Sequence, residues 1–263
     1  MSFSKSPYAL VSGGSKGIGY AIAEALAKRS YDLVLVARHA ESLEAAKNRL
    51  ESAYSIHVDT LVFDLAEKES VDKITQWCTD KDIRLKILCN VVGIGGAKDY
   101  LSLPLEDLRY MVRVNIESQM ALCLQLLPLL EKNAPSYILN MGSMAAFAPI
   151  PAKNLYAATK SAVLFFSYSL RYQLKGKNIS VSCVCPGPVF TKTEIKEETI
   201  KKMGSFGKLM AVDPKRVGEI AVRRTLNKRM VIVPGTVAKI ISVILRLFPR
   251  RFLVYIYDRI GKK

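Results

Sequence analysis

Tyr156 and Lys160 stand four residues apart in the run Tyr-Ala-Ala-Thr-Lys, and Ser143 precedes the tyrosine by thirteen positions. On a helix, positions i and i+4 share a face. The Lys160 ammonium is therefore placed to lower the Tyr156 phenol from its ordinary pKa of about 10 and favour the phenolate. A phenol tuned in this way can give a proton to a carbonyl oxygen as hydride reaches the carbon, or take one from an alcohol. Ser143 follows the apolar run 137–141 and is placed to hydrogen-bond the same oxygen. In most sequences a Tyr and a Lys at this spacing are an ordinary helix surface, so the pair gains its weight from other motifs in the chain.

Such chemistry needs a hydride carrier, and the chain offers a place for one. The motif Ser12-Gly13-Gly14-Ser15-Lys16-Gly17-Ile18-Gly19 lies between an apolar run at 8–11 and a helical pattern at 18–28. Gly13, Gly17 and Gly19 permit a tight turn, approach of a pyrophosphate to backbone N–H groups, and close packing of a helix whose N-terminus faces the anion. The second apolar run, 32–37, ends at Ala37-Arg38. An acidic residue there would hydrogen-bond the ribose hydroxyls of NAD. Arg38 and Lys16 instead supply positive charge suited to a 2′-phosphate, which favours NADPH or NADP over NADH. Taken alone, Arg38 reads as a solvated surface arginine.

The elements that must position these residues alternate along the chain. Apolar or alternating runs at 8–11, 32–37, 57–63, 85–92, 137–141, 179–185 and 231–233 read as strands, and 18–28, 42–54, 68–79, 104–132 and 155–175 as helical regions. This order implies right-handed crossovers and a doubly wound parallel sheet, a three-layer αβα Rossmann fold with a C-terminal helical extension. Ligands then bind at the carboxyl ends of the strands, where the strand order reverses.

No linker or repeat divides the 263 residues, half of which are hydrophobic. One catalytic domain over 1–235 is expected, including a polar segment at 191–212 in which Met203, Phe206, Leu209 and Met210 are interspersed. The net charge of +16 is uneven: residues 1–200 hold 23 Lys and Arg against 20 Asp and Glu, whereas 201–263 hold 16 against 3. In that basic tail the cations alternate with long aliphatic and aromatic side chains, which disfavours nucleic acid as a partner. Lys239, Arg246 and the Pro249-Arg250-Arg251 break leave no apolar run near the roughly 20 residues that span a bilayer. Residues 236–263 read as two amphipathic helices meeting at Pro249. Packing on the domain is the leading expectation, and peripheral contact with an anionic membrane surface the second. The five scattered cysteines read as buried free thiols in a reducing compartment, with no metal site. The first residues lack a signal-peptide pattern, so a cytoplasmic protein is expected, membrane-associated if the tail serves that purpose.

In order, SGGSKGIG, FDL, NVVG, RVNIES, NMGS, YAATK and PGPVFT resemble the short-chain dehydrogenase/reductase family in its compact single-domain branch, over residues 8–193. The resemblance implies a seven-stranded sheet and a catalytic tetrad of Asn115, Ser143, Tyr156 and Lys160. In that tetrad Lys160 also holds the nicotinamide ribose, and the Asn115 backbone helps anchor a water in a proton relay. It places Asp64 and Leu65 around the adenine, Asn90 and Gly93 along the cofactor, and Pro186, Gly187, Val189 and Thr191 on the nicotinamide side, and it implies that 191–212 closes over the substrate as a lid with its apolar residues on the inner face. It also implies a homodimer or homotetramer, for which Ala121, Leu122, Leu126, Phe165, Phe166 and Leu170 are seam candidates, although each suits the sheet equally well. Three departures stand out. Ser12 replaces a Thr, Val91-Val92 replaces Asn-Ala, and Gly142 stands where a second Ser is common. The implied activity is NADPH-dependent reduction of a ketone or aldehyde, or oxidation of the alcohol, on a substrate with an apolar part. The alternative is a catalytically silent nucleotide-sensing or membrane-surface scaffold, against which the intact tetrad argues.

Overall fold

Leucine- and valine-rich runs form the strands β1 (Tyr8–Ser12), β2 (Asp32–Ala37), β3 (Val58–Val62), β4 (Leu85–Asn90), β5 (Ser136–Met141), β6 (Ile179–Val184) and the short β7 (Val231–Ile232). They are seen in the computed structural model of the chain, which describes residues 6–95, 100–189 and 212–261. The strands form one seven-stranded sheet in the order β3-β2-β1-β4-β5-β6-β7, parallel at every pairing. Growth of the sheet reverses between β1 and β4, and this opens the ligand crevice at their carboxyl ends.

Between the strands run α1 (Gly17–Ala27), α2 (Ala40–Ala53), α3 (Ser70–Asp80), α4 (Leu105–Val112), α5 (Ser118–Gln125), α6 (Leu127–Lys132), α7 (Asn154–Gln173) and α8 (Pro214–Leu226). Side chains alternate across each strand, so one sheet needs two cores. Ala9, Val11, Leu33 and Leu35 pack with Ile22 and Leu26 of α1, Leu43 of α2 and Ala221 of α8. Leu10, Val34 and Val36 point the other way, onto Ile74 of α3 and Leu122 of α5. Each fully buried Leu or Ile contributes about 1.5–3 kcal/mol. The expected doubly wound, three-layer α/β fold is borne out.

Two sequence expectations change. The continuous helical region at 104–132 is interrupted by a π-helical turn, Arg113–Glu117, and again at Leu126. Pro128 lies in the first turn of α6, where its missing N–H costs nothing, so a new helix starts there. The seam candidates Leu122 and Leu126 are fully buried under the sheet, and Ala121, Phe166 and Leu170 lean on the same cluster. Phe165 stays outside, and the other large apolar side chains exposed on α5 and α7 are Leu124 and Tyr172.

The tail forms α9 (Thr236–Leu247) and α10 (Arg250–Gly261), meeting at Pro249 as expected. It packs on the domain: Ala238, Leu245 and Leu253 join Met144, Phe147, Leu164 and Cys185 in a third apolar cluster. Arg250 Nη1 donates to the Phe147 carbonyl at 2.6 Å, and the Arg246 guanidinium lies 4.5 Å from the Phe147 ring centroid. Among the described residues, no helix is long and apolar enough to cross a membrane. Cys78, Cys89, Cys123, Cys183 and Cys185 are free and buried, as their apolar settings suggested.

Candidate functional site

At the end of β1 the chain turns through Gly13 (φ 75°) and Gly17 (φ 57°), backbone conformations that side chains disfavour. The Gly13 N–H donates to the Val36 carbonyl at 2.7 Å. A Cβ on Gly19 would fall 1.9 Å from the Gly13 oxygen, so the turn closes on α1 only because position 19 is bare. Lys16 precedes α1 without capping it by its side chain. The first-turn N–H groups, flanked by Ser15, Gly17 and Ile18, thus remain for an anion. Ser12 is fully buried; its hydroxyl donates to Cys89 O and accepts from Val91 N at 3.1 Å and Val92 N at 3.4 Å. It therefore braces the β4 loop from below. Asn90 also points inward, with Nδ2 donating to Asn140 Oδ1 at 2.9 Å, and Leu65 sits in the core. The side chains of these three are thus engaged within the protein.

Arg38 emerges at the end of β2 and hydrogen-bonds the Tyr110 hydroxyl, with Asp64 Oδ2 3.7 Å from its guanidinium. The Tyr110 hydroxyl in turn donates to Asp64 Oδ2 at 3.1 Å. Burial, and then the Asp64 charge, raise the Tyr110 phenol above its ordinary pKa. Sequence reasoning missed Tyr110, which lies on α4 and meets Arg38 only because of the strand order. Asp64 also accepts from Ala66 N at 2.9 Å, which fixes the corner after β3.

The reactive groups converge beyond β4 and β5. Tyr156 and Lys160 occupy the first turns of α7, and Lys160 Nζ lies 5.9 Å from the phenol ring centroid. Lys160 is almost wholly buried and donates to Met141 O at 2.8 Å. Burial pushes its pKa down to about 8, although Cys183 and Cys185 pull the other way. Ser143 opens the 3₁₀ turn Met144–Phe147, its hydroxyl accepting from Ala145 N at 3.1 Å. Asn115, in the π-helical turn, is fully buried. Its Oδ1 accepts from Ile94 N, its Nδ2 donates to Ile94 O, both at 2.8 Å, and Nδ2 also reaches Thr159 Oγ1 at 3.1 Å. The Asn115 carbonyl accepts from Gln119 Nε2 at 3.1 Å. This clamp sets Gly93 against Lys160, where a Cβ would meet Nζ at 3.1 Å, and Gly95 against the Tyr156 ring.

One electrostatic expectation is reversed. Burial raises the Tyr156 pKa, and the Ser143 hydrogen bond, which favours the phenolate, offsets this only in part. Removing a phenolate from water outweighs that hydrogen bond, and the Lys160 ammonium, 5.9 Å from the ring centroid and tied to a backbone carbonyl, does not reverse the shift. On the other flank, the Pro186 carbonyl accepts from Met144 N at 3.0 Å, which joins the loop after β6 to the Ser143 turn. Gly187 and Val189 follow, partly exposed. Thr191 and all of 191–212 but Val212 lie outside the described residues.

The glycine at 142 has a packing cause. Cys183 Sγ and Cys185 Sγ lie 3.7 Å apart, and a Cβ on Gly142 would come within 2.8 Å of one and 2.9 Å of the other. Gly142→Ser is expected to cost about 1–3 kcal/mol through overpacking, and adding Cys183→Ala should restore part of it. Thermal melting of the single and double variants checks this, and an unchanged Tm for Gly142→Ser contradicts it.

The donor set fits a dinucleotide. A turn without Cβ atoms at Gly13, Gly14 and Gly17 and an uncapped helix start suit a pyrophosphate, Arg38 and Lys16 suit a further phosphate, and two of the three Lys160 donors remain beyond the bond to Met141. At the other end a protonated phenol stands beside a hydroxyl and an ammonium, an arrangement able to move a proton at a carbonyl oxygen.

The family model described as short chain dehydrogenase matches residues 7–203. Very-long-chain 3-oxoacyl-CoA reductase-A of Danio rerio is 34% identical over 200 residues, 74% of this chain and 62% of that protein. The Mus musculus very-long-chain 3-oxoacyl-CoA reductase is 32% identical over 74% of this chain and 64% of its own length, so the match spans less than two thirds of either relative. A solved short-chain dehydrogenase from Sphingobium yanoikuyae in complex with NADPH superposes with a TM-score of 0.78 at 26% identity, covering 90% of this chain and 92% of that one. L-Sorbose reductase from Gluconobacter frateurii, complexed with NADPH and L-sorbose, gives 0.77 at 25% identity over 89% and 97%.

Proposed function

The chain belongs to the short chain dehydrogenase family, and from that premise we propose that it is an NADPH-dependent reductase of a lipophilic ketone or aldehyde, able to run in reverse on the alcohol. The observation that carries this reading is the convergence of Tyr156, Ser143 and Lys160 at the end of β5, across the crevice from the glycine turn. Bound NADPH supplies the hydride. Tyr156 donates the proton to the substrate oxygen, and its raised pKa keeps that proton in place at neutral pH, which suits reduction. The Ser143 hydroxyl supports the phenolate left behind. Lys160 keeps a positive charge behind the ring and is the donor that binds the nicotinamide ribose. Asn115 holds the Ile94 backbone and Thr159 so that these groups stay in register. In solution, Leu124, Phe165 and Tyr172 form the seam of a homo-oligomer, an assignment that a monomer in light scattering would remove.

Support for NADPH comes from Arg38 and from two solved neighbours, each in complex with NADPH. Support for a ketone comes from the 3-oxoacyl-CoA reductases among the relatives. The test is steady-state oxidation of NADPH and of NADH with a panel of lipophilic ketones, for the wild type and Arg38→Asp. The wild type should prefer NADPH. The variant should lose about 10- to 100-fold in NADPH affinity, the worth of a charge-assisted hydrogen bond, with NADH little changed. An unaltered preference would mean that Arg38 does not read the phosphate.

A further inference from the structure

Helix α9 carries two apolar stripes. Ala238, Ser242 and Leu245 face the domain and are buried. Ile240, Val243, Ile244 and Leu247, at spacings i, i+3, i+4 and i+7, form a second stripe directed away from it, with Ile240 58% and Leu247 77% exposed. On α10, Phe252 and Tyr255 continue this outer surface. Phe248 stacks on Phe252 with centroids 5.5 Å apart, and the Arg259 guanidinium lies 4.7 Å from the Tyr255 centroid. Lys239 and Arg251 of the same two helices are exposed, and residues 236–263 hold seven Lys and Arg against one Asp, a net of +6. Among the described residues, packing covers only the other side of this helix and leaves the outward apolar surface without a partner.

We propose that the outer faces of α9 and α10 dock on an anionic phospholipid bilayer, with both helices lying in the plane of the interface. Each has 12 residues, about 18 Å of helix, and neither can cross. The choice of partner follows from the combination of stripe and charge. A second copy of the chain would bring one +6 tail against another. Nucleic acid would neutralise the cations but leave the aliphatic stripe in water. A bilayer containing anionic lipid supplies an apolar phase for the stripe and phosphates for the exposed cations. Because α9 and α10 also brace the turn Met144–Phe147 that follows Ser143, docking holds that segment close to the lipid. The inference does not depend on the reaction proposed above.

Cosedimentation of the full chain with phosphatidylcholine vesicles, with and without phosphatidylserine, tests it. The wild type should bind the phosphatidylserine vesicles and be released by high salt. Ile240→Glu/Leu247→Glu and, separately, Arg251→Glu/Arg259→Glu should each lower partitioning roughly tenfold or more, the second at about 1 kcal/mol per cation removed. Melting temperature and NADPH titration should be unchanged, since none of the four residues touches the nucleotide crevice. Failure of the wild type to sediment with anionic vesicles, or binding by both variants equal to that of the wild type, overturns the proposal. So does an Ile240→Glu/Leu247→Glu variant that splits an oligomer in light scattering yet still binds vesicles, because the face would then belong to a second copy.

Discussion

Phenylalanine at position 156 should lower the rate of ketone reduction about 100- to 10,000-fold, the effect of losing a general acid, with NADPH affinity nearly intact. The substitution removes one oxygen and keeps the ring that packs beside Gly95. Stability should therefore change little, and the loss falls on kcat. Burial holds the wild-type phenol protonated at neutral pH, so the group is loaded for donation before substrate arrives. Single-turnover reduction with the nucleotide saturating, alongside a fluorescence titration of NADPH, separates the chemical step from binding. A variant that reduces ketones at the wild-type rate would place the proton donor elsewhere.

The second large effect concerns Lys160. Its ammonium is pushed down to about 8 by burial, so it loses its charge within an accessible pH range. The kcat/KM for NADPH, which reports ionisations of the free protein, should be flat through neutral pH and fall about tenfold per pH unit above that value. Stability should move the opposite way. From about 8 to the ordinary value of 10.5 the unfolded chain holds the lysine proton and the folded chain does not, so the contribution of this group to folding rises with pH through that window. Lys160→Met should lower kcat/KM about 100-fold or more by removing a fixed charge from the site. It should also abolish both the basic limb of the activity profile and the pH-linked change in melting. If the basic limb survived in the methionine variant, another group would own it.

Those residues were legible in the sequence because their relations are local. Tyr156 and Lys160 share a helix face whatever that helix packs on, and Gly13, Gly17 and Gly19 mark a turn whose backbone few other residues tolerate. The alternation of apolar runs and helical patterns was enough to call for a doubly wound sheet, since few topologies accommodate it. What escaped depends on which distant segments meet. Tyr110 reaches Arg38 across 72 positions of chain, and the bare position at 142 makes sense only once the thiols of Cys183 in β6 and Cys185 just after it are seen against it. The π-helical turn that aims Asn115 inward has no periodic signature that separates it from the helices around it. Periodicity tells which side chains share a face but not what that face meets. Leu122 and Leu126 therefore went to the sheet while Leu124 remained outside, and α9 proved apolar on two sides. The sign of the Tyr156 shift was missed for a related reason: burial raises it more than the Ser143 hydrogen bond lowers it, and burial is a property of the fold.

The central claim is hydride transfer from NADPH to a ketone with the proton supplied at Tyr156, and isotope transfer tests it most directly. NADPH carrying deuterium on the transferred position of nicotinamide C4 is incubated with the chain and a lipophilic ketone, and the product alcohol is read by mass spectrometry. One deuteron on the carbinol carbon for each NADPH oxidised is the predicted result. Nucleotide oxidised without labelled alcohol, or no uptake of NADPH at all, would contradict it.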